Sequence, residues 1–213
     1  MRNKFDEQLK ILNDELTKMG MLVENTINSA VKSLSNYDDL LADKAIAFDK
    51  EIDKKEKEIE GLCLRLFLKE QPVAGDLRQI SAALKMITDM ERIGDMASDI
   101  AEIEKSMTEE NYKYVKEIIH ITEMASATIS MVNESIEAYV NKDSNTAYKV
   151  IADDDIVDNL FNSVKKDLID LIVKNPNYSD GAMDLLMVAK YFERIGDHAT
   201  NIAEWVLFSL NKM

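Results

Sequence analysis

The chain is short of the residues that build disulfide scaffolds, sheets and nucleotide loops. It contains one cysteine, Cys63, so no intrachain disulfide framework can form. That cysteine lies in the apolar stretch LCLRLFL, which predicts a core thiol rather than a reactive one. Two prolines and six glycines among 213 residues leave few places for a helix to break. With Leu, Ile, Lys, Glu, Ala and Met abundant, that scarcity favours long helices over strands. No apolar run approaches the roughly 20 residues of a membrane span. The N-terminus, MRNKFDEQLK, is charged and amphipathic and predicts no signal peptide. Positive charge is scarce too: 26 basic residues against 40 acidic ones give a net charge of −14. A chain this acidic repels phosphate backbones and anionic headgroups, which argues against nucleic acid and membrane insertion and favours cations or basic protein surfaces. The expectation is a soluble cytoplasmic protein. Glycine-rich phosphate loops, nucleophile elbows and Cys-His arrangements are also missing, so the common enzyme signatures are absent.

What is present is a repeat. Residues 91–102 read ERIGDMASDIAE and residues 193–204 read ERIGDHATNIAE, identical at nine of twelve positions. An upstream motif, Asp49-Lys-Glu-Ile-Asp53, has its counterpart in Asp154-Asp-Ile-Val-Asp158. Twin positions are 105 residues apart around the upstream motifs and 102 apart around the downstream ones. Both prolines, Pro72 and Pro176, fall between the two motifs of a half, where a helix must end and the chain reverse. Periodicity and turn signals predict helices over about 3–35, 38–69, 76–107, 109–141, 144–174 and 179–211. Helices of ~30 residues joined by short turns pack antiparallel. The predicted fold is all-α, two tandem three-helix bundles related by internal duplication, residues 1–107 and 108–213. No linker-like composition marks Met107-Thr108, so the halves are expected to press together.

The acids fall where helices meet. At about 100° per residue, the stripe Leu77, Ile80, Leu84 and Ile87 continues into Glu91 and Asp95. The stripe of Ala42, Ile46 and Phe67 also contains Asp49, Asp53, Glu56 and Glu60. In the second half, Leu186 and Ala189 run into Glu193 and Asp197, and Ala147 and Ile151 into Asp154 and Asp158. Carboxylates four residues apart on a helix repel each other, and burying them unpaired is costly. Such a cluster protonates, pairs with Arg or Lys, or coordinates metal. Arg78, Arg92 and Arg194 can offset part of the charge, but not four carboxylates per half. Hard multivalent cations with oxygen ligands, such as iron, manganese or magnesium, suit the donor set; zinc would usually add a histidine or cysteine. A single Glu-x-x-x-Asp is usually a solvated face; two copies in register, each with an upstream Asp-x-x-x-Asp, point to a site. Gly94 and Gly196, unfavourable inside helices by about 1 kcal/mol relative to alanine, imply a close approach. His198 follows Asp197 and is a weaker ligand candidate; His120 and Trp205 read as packing residues, and the scattered methionines as core filler.

Gln71-Pro-Val-Ala-Gly-Asp-Leu-Arg78, followed by Glu91-Arg-Ile-Gly-Asp95 and a second Glu193-Arg-Ile-Gly-Asp197, resembles the PhoU family of phosphate-uptake regulators over essentially the whole chain. The resemblance implies a cytoplasmic, all-helical homodimer of two PhoU repeats that is not an enzyme. It implies multinuclear clusters of iron, zinc, manganese or magnesium on the acidic motifs. It further implies negative regulation of the phosphate-starvation response, between a phosphate ABC transporter and a sensor histidine kinase. On this basis Asp49, Asp53, Glu91 and Asp95 form the first metal site, and Asp154, Asp158, Glu193 and Asp197 the second. Asp99 and Asn201, one turn further along, complete them. Asn201 stands where the first half has an acid, and the second half lacks the Pro-Val-Ala-Gly-Asp-Leu-Arg segment. The competing readings are a phosphatase-like metalloenzyme with His198 as its base, and a metal-free helical interaction protein.

Overall fold

A computed structural model of the chain describes residues 2–69, 72–112 and 119–210, with the backbone alone at 2–4, 69 and 119. Helix α1 (Arg2–Asn36), α2 (Asp39–Lys69) and α3 (Ala74–Ser106) form one bundle. After the one-turn helix α4 (Glu109–Tyr112), α5 (Ile119–Asn141), α6 (Ser144–Lys174) and α7 (Ser179–Ser209) form the second. The fold is therefore all-α, as the periodicity predicts. The fourth predicted helix is represented by α4 and α5; residues 113–118 between them lie outside the described residues. Helix α3 starts two residues earlier than predicted and includes Gly75, because the Asp76 carboxylate accepts a hydrogen bond from the Val73 amide at 3.3 Å and closes the first turn. Pro176 opens a short 3₁₀ turn ahead of α7, anchored by the Tyr178 hydroxyl on the carbonyls of Glu110 and Asn111.

Each helix forms because one face can be buried. In α1 the buried residues Leu12, Leu16, Met19, Val23, Ile27, Ala30 and Leu34 recur every three or four positions. Burying each of the larger ones contributes roughly 1.5–3 kcal/mol. The polar residues on this face are neutralised locally: the hydroxyls of Thr26 and Ser33 donate to the carbonyls of Leu22 and Ala30. Helices α1 and α5 stop alike. Tyr37 and Lys142, twin positions, take left-handed conformations with φ of 54° and 55°. The following amides, of Asp38 and Asp143, then reach back to the carbonyls of Ser33 and Ala138. The same aspartates cap the next helices, accepting from Leu40 and Leu41 in one case and from Asn145 in the other. One residue thus ends one helix and begins the next, twice.

The halves pack directly, α3 against α7 and α1 against α5. Across the α3–α7 seam, Asp89 Oδ1 accepts from the Asn201 amide at 3.2 Å and lies 2.8 Å from Nδ1 of His198. On the same seam burial, and then the neighbouring Asp99 carboxylate, raise the Tyr191 phenol. Positions 89 and 191 are twins, as are 99 and 201, so the seam brings the same two pairs of positions together around a pseudo-twofold axis. In each pair a carboxylate on α3 meets an uncharged side chain on α7, and His198 adds to the first. Replacing Asn201 by Asp would set two carboxylates face to face. We expect Asn201→Asp to lower unfolding free energy by about 1–3 kcal/mol, and Asp89→Asn in the same chain to restore most of it. Urea unfolding of Asn201→Asp, Asp89→Asn and the double variant against the parent checks this; additive losses would show that the pair does not couple.

Candidate metal centre

The packing of α2 on α3 brings three carboxylates together. Asp49 and Asp53, one turn apart on α2, face Asp95 on α3. One oxygen from each lies within 4.8 Å of the other two. No other trio of His, Cys, Asp or Glu gathers so closely among the described residues. All three are half-buried. Asp49 is the innermost: its Oδ1 is buried and has no hydrogen-bond partner. Gly94 explains how it gets there. A β-carbon at Gly94 would stand 2.8 Å from Ile52 Cδ1 and 3.1 Å from Asp49 Oδ1, so only glycine lets α2 settle this close.

The electrostatics show the strain of the arrangement. Burial, and then the charges of Asp95, Asp53, Glu91 and Asp99, push the Asp49 carboxyl up to about 6. Burial also raises Glu91 and Glu56, each with further carboxylates adding to the rise. Glu91 stands outside the tight trio, with Arg92 Nε 3.5 Å away, and Arg92 Nη1 is 3.0 Å from Asp95. That arginine is more than half exposed, so it offsets the edge of the cluster and leaves Asp49 unpaired. Carboxylate oxygens at this spacing, with one orphaned inside, match the donor set of a hard cation.

The second half copies the backbone and changes the cluster. Asp154 is half-buried, but Asp158 and Asp197 are exposed. Burial and then neighbouring carboxylates raise both Asp154 and Asp197, with Lys190 and His198 counteracting at Asp197. Glu193 is held by Lys190, 2.5 Å away. Gly196 sits at ordinary contact distance, 3.5 Å from Asp154 Oδ1 and from Val157 Cγ1. Among the described residues Asp154, Asp158 and Asp197 do not gather into a close trio as Asp49, Asp53 and Asp95 do, and two of them are exposed.

Two of the candidates read from the sequence also make contacts on the seam. Asn201 donates its amide N–H to Asp89, so its Oδ1 is the atom left for the second cluster. His198 is bound to the same aspartate through Nδ1. Asp99 lies close enough to raise Asp49, and it also raises the Tyr191 phenol across the seam. His120 pairs with Asp167, and Cys63 is buried, its thiol pushed up to about 12 by desolvation. Sequence reasoning missed Asp89, Tyr191, Phe161 and Lys190. Applying the repeat offsets beyond the acidic motifs would have found the last two, because their twins are Glu56 and Thr88.

The family model described as the PhoU domain matches this chain twice, over residues 16–103 and 121–206. The chain belongs to the PhoU family. A phosphate-specific transport system accessory protein PhoU homolog of Clostridium acetobutylicum is 36% identical over 209 residues, 97% of this chain and 94% of that protein. The crystal structure of PhoU from Pseudomonas aeruginosa superposes with a TM-score of 0.87 at 31% identity, covering 98% of this chain and 100% of that one. A phosphate transport system regulatory protein PhoU from Streptococcus pneumoniae shares the fold at the same TM-score and 23% identity. These names describe accessory and regulatory proteins, not enzymes. For this PhoU protein the described helices include none long and apolar enough to cross a membrane.

Two predictions follow from the geometry of the acids. Gly94→Ala overpacks Ile52 and Asp49, whereas Gly196→Ala fits and gains helix propensity. Gly196→Ala should be neutral or stabilising by up to about 1 kcal/mol, and Gly94→Ala less stable than it by about 1–3 kcal/mol; thermal unfolding giving the reverse order would refute this. The second concerns pH. A carboxyl raised to about 6 in the fold contributes stability that is complete below about 4 and lost as pH rises through 6. After chelator treatment, Asp49→Asn should therefore exceed the parent at pH 7 by about 1–2 kcal/mol, allowing for solvent screening. The advantage should disappear by pH 4 in denaturant titrations.

Proposed function

We propose that this chain is a metal-binding cytoplasmic regulator of phosphate uptake, a homodimer that represses the phosphate-starvation response between a phosphate ABC transporter and a sensor histidine kinase. The observation that carries the metal half of the reading is the trio Asp49, Asp53 and Asp95 around an orphaned, buried Asp49 oxygen. The regulatory half is supported by full-length relatives named as accessory proteins of the phosphate-specific transport system. A multivalent cation, iron first and zinc, manganese or magnesium next, would be held by Asp49, Asp53 and Asp95, with Glu91 and Asp99 at the margin. Bound there, it would supply positive charge and tie α2 to α3, and it needs to do no chemistry. With α2 and α3 fixed, the acidic face would become a defined docking surface. The metalloenzyme reading is the less favoured one because the full-length relatives are named as accessory proteins.

Asp49→Ala together with Asp53→Ala should abolish tight metal, seen by elemental analysis of protein purified without chelator, and weaken capture of the transporter's ATPase subunit or of the kinase by at least about tenfold. Equal metal in parent and variant would remove the metal claim. Undiminished capture by a metal-free variant would separate docking from metal.

A further inference from the structure

The two halves share a backbone, yet their acidic clusters carry different charge. On α2, Asp49, Asp53, Glu56 and Glu60 follow one another along one stripe. At the twin positions α6 has Asp154, Asp158, Phe161 and Lys165. On α3, Thr88 precedes Glu91; on α7, Lys190 precedes Glu193. Counting Arg92 and Arg194, which the two motifs share, the first set has six carboxylates and one cation, a formal −5, and the second has four carboxylates and three cations, a formal −1.

The added lysines are fixed rather than loose. Lys165 Nζ lies 5.5 Å from the centre of the Phe161 ring and Lys190 Nζ 5.6 Å from it. Cations over an aromatic face are attracted to it. Lys190 is also bound to Glu193 and partly counteracts the rise at Asp197. Phe161 thus has two ammonium groups near its ring, one of them bound to the second cluster's Glu193, and Phe161 and Lys165 occupy the positions that Glu56 and Glu60 hold in the first half.

We propose that the two sites are unequal: the first is the tight site for a multivalent cation, and Lys190 with Lys165, braced on Phe161, is a built-in counter-charge that makes the second site a weak one. This rests on the metal reading given above and concerns which half carries it. An ammonium within about 5 Å of a divalent ion opposes it strongly enough to weaken binding by roughly tenfold even at the dielectric of bulk water. The exposed positions of Asp158 and Asp197 act in the same direction.

The test uses Mn²⁺ with the chelator-stripped full chain, measured by equilibrium dialysis with elemental analysis and by the melting-temperature rise on adding metal. The unaltered protein should show one tight class of sites. Asp49→Asn with Asp53→Asn should remove that class, and Asp154→Asn with Asp158→Asn should leave it. Thr88→Lys, on an exposed position, should transplant the counter-charge onto Glu91 and weaken the tight class about tenfold. Lys190→Thr should strengthen the weak class by a similar factor. Equal loss of tight Mn²⁺ from the two asparagine pairs, or no effect of both lysine exchanges, would overturn the inequality while the metal reading stood. Absence of any tight Mn²⁺ in the unaltered protein would overturn both.

Discussion

The feature on which the rest of the structure depends is the contact between α2 and α3 at Gly94. Rigid helices hold Asp49, Asp53 and Asp95 together against their mutual repulsion, and the missing side chain at Gly94 allows the innermost oxygen to be buried. Neither helix can relax the contact alone. Ile52, fully buried on the same face of α2, locks its rotation, and the stripe running from Ile80 through Ile87 to Ile93 locks α3. The hydrophobic core thus supplies the free energy that keeps the carboxylates close. Burying an apolar side chain contributes roughly 1.5–3 kcal/mol, and several such residues outweigh one raised carboxyl.

Much of the architecture was legible in the sequence because it follows from short-range rules. The heptad-like spacing in α1, the turn residues at Asn36-Tyr-Asp38 and Asn141-Lys-Asp143, and the two prolines place the helices to within a few residues. The acid stripes were legible for the same reason, since a helical wheel assigns them to the edge of the core. Relations between the halves were harder to read. A wheel places Asn201 one turn beyond Asp197, but cannot say that α7 crosses α3 so that position 201 meets position 89. The crossing is set by the shapes of two packed bundles, and with it the contacts of His198, Asn201 and Asp99.

The asparagine at 201 shows how a duplicated fold resolves a conflict of its own making. Pseudo-twofold packing brings positions 89 and 201 together on one side of the axis and 191 and 99 on the other. Acids at all four positions would repel on both sides of the seam. The chain instead carries Asp89 with Asn201 and Tyr191 with Asp99, one carboxylate and one uncharged side chain per pair, with His198 beside Asp89. Asn201 thus has a part in the seam that its place in the acidic motif does not reveal.

The same logic separates the two clusters. Duplication gives each half the same helices and the same Glu-Arg-Ile-Gly-Asp turn, so any difference in affinity must come from positions flanking the motif. In the first half those flanks add Glu56 and Glu60 beside a cluster in which burial and neighbouring acids already raise Asp49 to about 6. In the second half the flanks supply Phe161, Lys165 and Lys190, and the acids relax towards solvent. A cluster that already contains its own cations has less to gain from another. A cluster whose innermost oxygen lacks any partner has more. Local charge balance, set by residues that a motif search passes over, is therefore what distinguishes two sites that share a backbone.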